Sequence, residues 1–203
     1  MKRFIKSIFL VTCLTLVAFL AGVGCKHFTS QAVSFVTPGE KYYLAYNLHA
    51  DPSNNRLYSV NYQIPGNLLK WGTPVQILNI SDREIVFRDL DNNLKYHYYI
   101  HRRTLRATTL KKHFNRVFTK NIKALKAKVA HLSSIDKKGI EEGKVLLGMS
   151  KQGVIIAIGY PPEFATPNPM KSNKWHYWYN RWTQFYVLFG KNGKVIDIIG
   201  HYY

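Results

Sequence analysis

The 203-residue chain contains little cysteine and few acidic residues. Two cysteines are too few for a disulfide-stapled mini-protein or a four-thiolate zinc site. Only 11 Asp and Glu residues stand against 29 Lys and Arg, which gives a formal net charge of +18. Because a strongly basic protein prefers anionic partners, this imbalance favours headgroups, phosphates or acidic polymers as binding partners.

Recognisable catalytic patterns are also missing from the sequence. It contains no Gly-x-Ser-x-Gly elbow, no P-loop and no dinucleotide-binding fingerprint. His97 and His101 are an even number of positions apart and would lie on the same face of a strand. Four residues of extended chain separate them by about 13 Å, however, which is too far for both to bind one metal ion. We therefore predict no catalytic residues, no metal site and no cofactor, so that the protein is not an enzyme. An unrecognised hydrolase is the alternative.

The N-terminus has the composition of an export signal. Lys2, Arg3 and Lys6 precede an uncharged, mostly apolar stretch over residues 8–24, which ends in small residues before Cys25. This segment resembles a bacterial lipoprotein signal, in which the cysteine after the small residues is acylated and becomes the new N-terminus. An uncleaved membrane anchor is the alternative.

The lipoprotein resemblance implies an exported protein that is held on the cell membrane by acyl chains on Cys25, with residues 1–25 as the signal peptide. In a diderm it favours the periplasmic face of the outer membrane, because Lys26 stands where inner-membrane retention uses an aspartate. Export also argues against a nucleic-acid partner. The expected partners are membrane lipid, envelope proteins and anionic polymer or headgroups.

The part after the signal divides by its periodicity. Residues 26–39 are polar and predict a tether, whereas residues 40–105 alternate with a period near two and predict a small β-barrel-like domain. The segment from Lys70 to Val75, followed by two strands and a polar turn, resembles the SH3-like barrels of bacterial envelope proteins. The strand candidates are residues 41–49, 56–63, 75–80, 84–89 and 94–100.

Residues 106–132 have helical spacing and predict a connector, either one helix or a broken pair, capped by Thr108 or Thr109. Its lysine-rich side either lies on anionic lipid or is simply solvated.

Residues 133–203 predict two helices followed by a three-stranded antiparallel meander. Ser133 or Ser134 and Ser150 suit the helix starts, and Gly159 suits the second helix end. The strand candidates are residues 174–180, 182–189 and 194–199. The predicted fold class is therefore α+β: an N-terminal small antiparallel SH3-like barrel, linker helices and a C-terminal α-α-β-β-β domain.

The C-terminal motifs resemble those of the SmpA/OmlA (BamE-like) envelope lipoproteins. They are Gly148-Met149-Ser150, Ile158-Gly159-Tyr160-Pro161, the aromatic run 175–179 and Gly193-Lys194-Val195. The resemblance implies an α-α-β-β-β domain with a binding role, since a well-known member is a structural subunit of outer-membrane barrel assembly and contacts anionic phospholipid.

The densest feature of the sequence is the aromatic run at residues 174–182. Strand alternation places Trp175, Tyr177 and Tyr179 on one face and His176 and Trp178 on the other. One face must cover the helices, and the other is either an open contact surface or is covered by the N-terminal domain. The predicted binding residues are Trp175, Tyr177, Trp178, Tyr179, Arg181 and Trp182.

The sequence thus predicts a lipid-anchored envelope protein that acts as a non-catalytic interaction or assembly module. The alternative is a module that binds anionic envelope polymer or phospholipid headgroups directly. Salt dependence separates the two, because headgroup binding weakens steeply with ionic strength.

Overall fold

The computed structural model describes residues 35–200, so the predicted signal peptide and Cys25 lie outside the described residues. The chain is a mixed α+β protein with a curled six-stranded sheet and a separate three-stranded antiparallel sheet. Across the described range, none of the helices combines the length and the apolar composition that crossing a bilayer requires.

The six-stranded sheet has the strand order β3-β7-β6-β5-β1-β8, and a two-stranded ribbon of β2 and β4 lies beside it. All neighbours in the larger sheet are antiparallel except β3 and β7, which pair in parallel with Arg56 opposite His97. The prediction of a wholly antiparallel sheet is therefore wrong at this edge. The strands, numbered along the chain, are β1 (Lys41–Leu44), β2 (Leu48–Ala50), β3 (Arg56–Tyr58), β4 (Asn67–Leu69), β5 (Pro74–Ile80), β6 (Glu84–Asp89), β7 (Lys95–Tyr99) and β8 (Phe118–Thr119).

Two predicted strands are shorter in the structure than in the sequence pattern. Residues 41–49 divide into β1 and β2, because the chain turns so that Asn47 is directed into the protein with no exposed surface. The strand predicted at residues 56–63 ends at Tyr58, since Asn61 adopts a φ of 49°, a left-handed conformation that an extended strand does not contain. The predicted strands at 75–80 and 84–89 are present.

The first hydrophobic core fills the concave side of the curled sheet. The alternate residues of β5 and β6, among them Ile77, Ile85 and Phe87, are fully buried. Val36 is also buried in this core, and the Phe35 ring packs edge-on against Phe114 at 5.6 Å. The end of the predicted tether, residues 35–39, is thus packed against the sheet, while residues 26–34 lie outside the described range.

The helical stretch is a broken pair preceded by a further short helix. The helices are α1 (Arg102–Ala107), α2 (Leu110–Val117) and α3 (Ile122–Ala130), with β8 between the last two. Thr109 caps α2, since its hydroxyl oxygen accepts from the Lys112 amide at 3.2 Å. Phe114 and Val117 turn inward to the first core, and Lys111 and Lys112 are exposed.

The C-terminal part contains the predicted helices and meander. The helices are α4 (Ser134–Glu142) and α5 (Lys151–Ile158), and the strands β9 (Lys174–Trp178), β10 (Gln184–Phe189) and β11 (Val195–Gly200) pair in the order β11-β10-β9. Ser133 and Asp136 form a capping box on α4, and the buried Asp136 carboxylate also accepts from the Ser150 amide at 2.6 Å. This carboxylate therefore joins the start of α4 to the start of α5.

A buried polar seam, formed by Asn47, Asn61 and Gln63, holds the two sheets together. Asn47 Nδ2 donates to the carbonyl oxygens of Ile140 at 2.7 Å and Ala157 at 3.1 Å. Because buried amides are costly unless they are hydrogen-bonded, the seam fixes the C-terminal helices against the N-terminal sheet.

The seam also reaches the aromatic strand β9. Asn61 Nδ2 donates to the Ile158 carbonyl at 2.5 Å, and the Gln63 backbone N–H donates to the Trp178 carbonyl at 3.2 Å. The three-stranded sheet is therefore fixed at one edge by the backbone of the N-terminal part.

Candidate functional site

The aromatic run has one buried side and one open side. Trp175 and Tyr177 face helices α4 and α5 and have no exposed surface. Their polar atoms are satisfied internally, since Trp175 Nε1 donates to the Pro169 carbonyl at 2.7 Å and the Tyr177 hydroxyl to the Gly159 carbonyl at 2.9 Å. The prediction of Trp175 and Tyr177 as binding residues is wrong, because these side chains form the core under the sheet.

The opposite side of the same sheet is directed away from the helices, and we call it the outer face. At its centre His176, Tyr186 and Ile199 lie side by side on the three strands. The His176 ring stacks on Trp178 at 4.1 Å and on Tyr186 at 4.5 Å between centroids. The outer face consists of Lys174, His176, Trp178, Gln184, Tyr186, Leu188, Asp197 and Ile199.

Positive charge borders the outer face at one end. Lys174 Nζ lies 4.1 Å from the centroid of the Tyr186 ring, in cation–π contact. His176 Nε2 is hydrogen-bonded to Gln184 Oε1 at 2.7 Å. Burial, together with the Lys174 charge, lowers the pKa of His176, so the stacked imidazole is neutral at pH 7 and acts as a flat ring.

The N-terminal part reaches the border of the outer face through His101 and Gln63. The His101 ring lies 5.8 Å from the ring of Phe164, which in turn packs against Trp178 at 5.6 Å, and the Gln63 backbone amide donates to the Trp178 carbonyl. Ile199, at the far edge, remains 47% exposed. The outer face is thus partly covered at its Trp178 corner and exposed at its Ile199 edge.

The β9–β10 hairpin carries the remaining predicted residues. Asn180 Oδ1 accepts from the amides of Trp182 at 2.8 Å and Thr183 at 2.9 Å, and these bonds shape the tip. Trp182 is 82% exposed there, with the Arg181 guanidinium 5.5 Å from its ring. Tyr179 is half-buried and packs against the second core. The structure therefore places Arg181 and Trp182 at the surface, with Trp178 and Tyr179 partly buried.

A buried charged cluster that no sequence pattern indicates links β7, α2 and the loop before β9. His113 Nδ1 is 2.8 Å from Glu163 Oε1, and His113 Nε2 is 2.9 Å from the Tyr98 hydroxyl. Arg116 Nη1 lies 3.0 Å from the same Glu163 oxygen, close enough for an ion pair but without hydrogen-bond alignment. Fifty positions separate His113 from Glu163, so no local sequence motif indicates that the two side chains are in contact.

The electrostatics of this cluster indicate a structural role. Burial raises the pKa of Glu163, but the hydrogen bond and charge of His113, with Arg116, outweigh it and leave that pKa below its ordinary value. Burial raises the pKa of Tyr98 well above its usual range, and its side chain has no exposed surface. The Tyr98 hydroxyl therefore cannot meet a substrate, and the cluster acts as a clamp between β7, α2 and the loop before β9.

Over residues 35–200 there is no group of three or more His, Cys, Asp and Glu side chains that is placed to hold a metal ion. His97, one of the two histidines considered above, instead pairs with Glu84 at 2.7 Å across neighbouring strands.

Compared with protein-family models, with curated proteins and with solved structures, the chain gives no match in any of the three.

Proposed function

We propose that the protein is a lipid-anchored cell-envelope protein that binds another envelope protein through the outer face, and that it does so without catalysis. Acyl chains on Cys25 hold it on the membrane, at the periplasmic face of the outer membrane in a diderm. The observation that carries the proposal is the open, stacked arrangement of Trp178, His176 and Tyr186 on a rigid sheet.

The geometry suits protein recognition for an energetic reason. The stacked rings are already held in place by each other and by the strand pairing, so little side-chain entropy is lost when a partner covers them. Aromatic side chains at the centre of an interface contribute most of its binding energy, while polar groups around them exclude water. Lys174 and Arg181 at the border favour a partner whose matching rim is acidic.

We also propose a relationship for each half of the fold. The curled N-terminal sheet is assigned to the SH3-like barrels, supported by the hairpin of β5 and β6 that follows Trp71 and Gly72. The C-terminal half is assigned to the SmpA/OmlA (BamE-like) domains. Its support is the order of two helices and three strands, with Ser150 capping α5 and Gly193 at a φ of 72° in the last hairpin turn.

A protein-capture experiment tests the proposed function. Intact envelopes carrying the full chain are crosslinked, and the captured proteins are compared between the native chain and the variants Trp178→Ala and Trp182→Ala. We expect one partner to be lost or strongly reduced in the two tryptophan variants. Leu94→Ala is the matched control, because Leu94 is also an exposed apolar side chain but lies at the β6–β7 turn. Retention of every partner in both tryptophan variants contradicts the proposal.

The anchor is tested separately by mass spectrometry of the membrane-extracted chain. We expect the N-terminal peptide to begin at Cys25 and to carry acyl groups. An unmodified thiol at Cys25 on soluble material would overturn this part of the proposal.

A second candidate function is direct binding of anionic envelope polymer or phospholipid headgroups. The net charge of +18 favours it, and so does the group of arginines beside the start of α1. Raising the ionic strength separates the two functions: electrostatic headgroup binding weakens steeply, whereas an aromatic protein contact changes little.

A further inference from the structure

A cleft of about 320 Å³ beside the start of α1 is lined only by basic side chains. No carboxylate lines it, and the nearest acid in sequence, Asp82, is not part of the wall. Among the ion pairs in the described part of the chain, none involves the arginines of this cleft. We call it the arginine cleft, and its lining residues are Arg83, His101, Arg102, Arg103 and Arg106.

The backbone holds these side chains together. The Ile100 amide donates to the Arg83 carbonyl at 2.8 Å, which fixes the β5–β6 turn next to the start of α1. The His101 amide donates to Ser59 Oγ at 2.9 Å, and Ser59 Oγ in turn contacts the buried Thr104 hydroxyl at 3.0 Å. The positive charges are therefore brought close by rigid elements rather than by a loose loop.

Every lining side chain offers hydrogen-bond donors. His101 Nδ1 accepts from the Arg103 amide at 3.2 Å, so the neutral ring carries its proton on Nε2. The four guanidinium groups have donors only and remain charged at any pH the protein meets. The cleft thus has donors from all five side chains, and the acceptor nitrogen of His101 is already occupied by the Arg103 amide.

The clustering of like charges has a cost that the fold does not relieve. Burial, followed by the charges of Arg103 and Arg83, lowers the pKa of His101. Like charges brought together without a counter-charge repel each other, and a bound anion removes that repulsion.

We propose that the arginine cleft binds a phosphate group. A phosphate has several acceptor oxygens and up to two negative charges, and the planar fork of arginine matches it in a bidentate way. The proposal is independent of the outer face as a protein-binding surface, because it rests on different residues.

The molecule that carries the phosphate has a surface to lie on next to the cleft. The Arg103 guanidinium lies 5.8 Å from the centroid of the Phe164 ring, which also contacts Trp178. The phosphate chemistry is common to a soluble phosphate compound and to a phospholipid headgroup, and the experiment below distinguishes these sources.

The test uses the full chain in a nonionic detergent, titrated with inorganic phosphate and followed by NMR of the arginine Nε–H and histidine ring signals. We expect the His101 ring signal and those of Arg102 and Arg103 to shift together and to saturate. In R102Q/R103Q the affinity should fall about tenfold or more, because charge-assisted hydrogen bonds are lost.

Two matched variants separate a site from general positive charge. K111Q/K112Q removes the same amount of charge from exposed positions on α2 and should leave the affinity within about a factor of two. R102K/R103K keeps the charge but loses the bidentate fork, so its phosphate affinity should lie between those of the native chain and R102Q/R103Q. Equal losses in R102Q/R103Q and K111Q/K112Q, or the absence of a saturating shift at His101, would overturn the proposal.

A second arm uses vesicles of phosphatidylcholine with and without phosphatidylglycerol. Vesicle binding that inorganic phosphate displaces and R102Q/R103Q abolishes supports a headgroup as the source. Phosphate binding without vesicle binding supports a soluble phosphate compound. Trp178→Ala should leave phosphate binding unchanged, so a failure of the proposed protein contact and a failure of this site are distinguishable.

Discussion

The inner and outer faces of the three-stranded sheet both carry aromatic residues, but those of the inner face are buried and those of the outer face are partly exposed. On β9, Trp175 has no exposed surface and its indole nitrogen is hydrogen-bonded inside the protein, whereas Trp178, three positions later, is only partly buried. The inner face is closed by helices, and the outer face meets Phe164 at one corner. An aromatic run on a strand can therefore fill a core with one face and leave the other accessible, and the cover on each face decides which.

The largest expected effect on stability is at the inner face. Trp175→Ala removes a fully buried indole and should lower the free energy of unfolding by about 3–5 kcal/mol, measured by urea denaturation. Trp178→Ala, on the outer face of the same strand, should lower the free energy of unfolding by only about 1 kcal/mol, because this ring is partly exposed. Equal losses in the two variants would show that the outer face is also core.

The next effect is expected at the polar seam that fixes the sheet. Asn47→Ala leaves the Trp71 amide and two carbonyls without their partner and should cost about 2–3 kcal/mol. Asn115→Ala is the control, since Asn115 is exposed on α2 and should change stability by less than about 0.5 kcal/mol. If Asn47→Ala behaves like its control, the seam does not join the two parts.

The buried clamp should make stability depend on pH. The folded pKa of Glu163 lies below its ordinary value of 4.5, so its contribution is present above that pH and is lost as the pH falls through the lower folded value. Glu163→Gln should lower stability at pH 7 by about 2 kcal/mol and flatten the acid side of the stability profile. Chemical denaturation at a series of pH values measures both, and an unchanged acid slope contradicts the clamp.

The smallest effect on stability is expected at the hairpin tip. Trp182→Ala removes a side chain that is 82% exposed and should change the free energy of unfolding by less than about 0.5 kcal/mol. It should nevertheless reduce partner capture, because an exposed indole next to Arg181 is suited to anchor an interface. A loss of stability comparable to that of Trp175→Ala would mean that Trp182 is not a free surface residue.

Local signals in the sequence predicted much of the fold. The helix starts at Thr109, Ser133 and Ser150 are capped as their residue types indicate, and the alternation at residues 84–89 is a strand. Contacts between distant segments were not predictable, and they include the parallel pairing of β3 with β7. The early end of β3 depends on the left-handed Asn61, whose amide is fixed by a carbonyl of α5.

The candidate site was predictable only in part, for the same reason. Alternation separates the two faces of β9, but their cover depends on where α4 and α5 pack. The predicted binding residues therefore include Trp175 and Tyr177 from the buried face as well as Trp178 from the other. The arginine cleft was not predictable from the sequence, because the pairing of β6 with β7 is what brings Arg83 next to Ile100 and the start of α1.

Site-specific photo-crosslinking tests the central claim most directly. A benzophenone amino acid replaces Gln184, which is exposed on the outer face opposite Trp178, or Lys111 on α2 as the control position. We predict one protein adduct from position 184 in living cells, absent from position 111 and abolished by a second change, Trp178→Ala. Equal adducts from both positions, or an adduct at 184 that Trp178→Ala leaves intact, would contradict binding through the outer face.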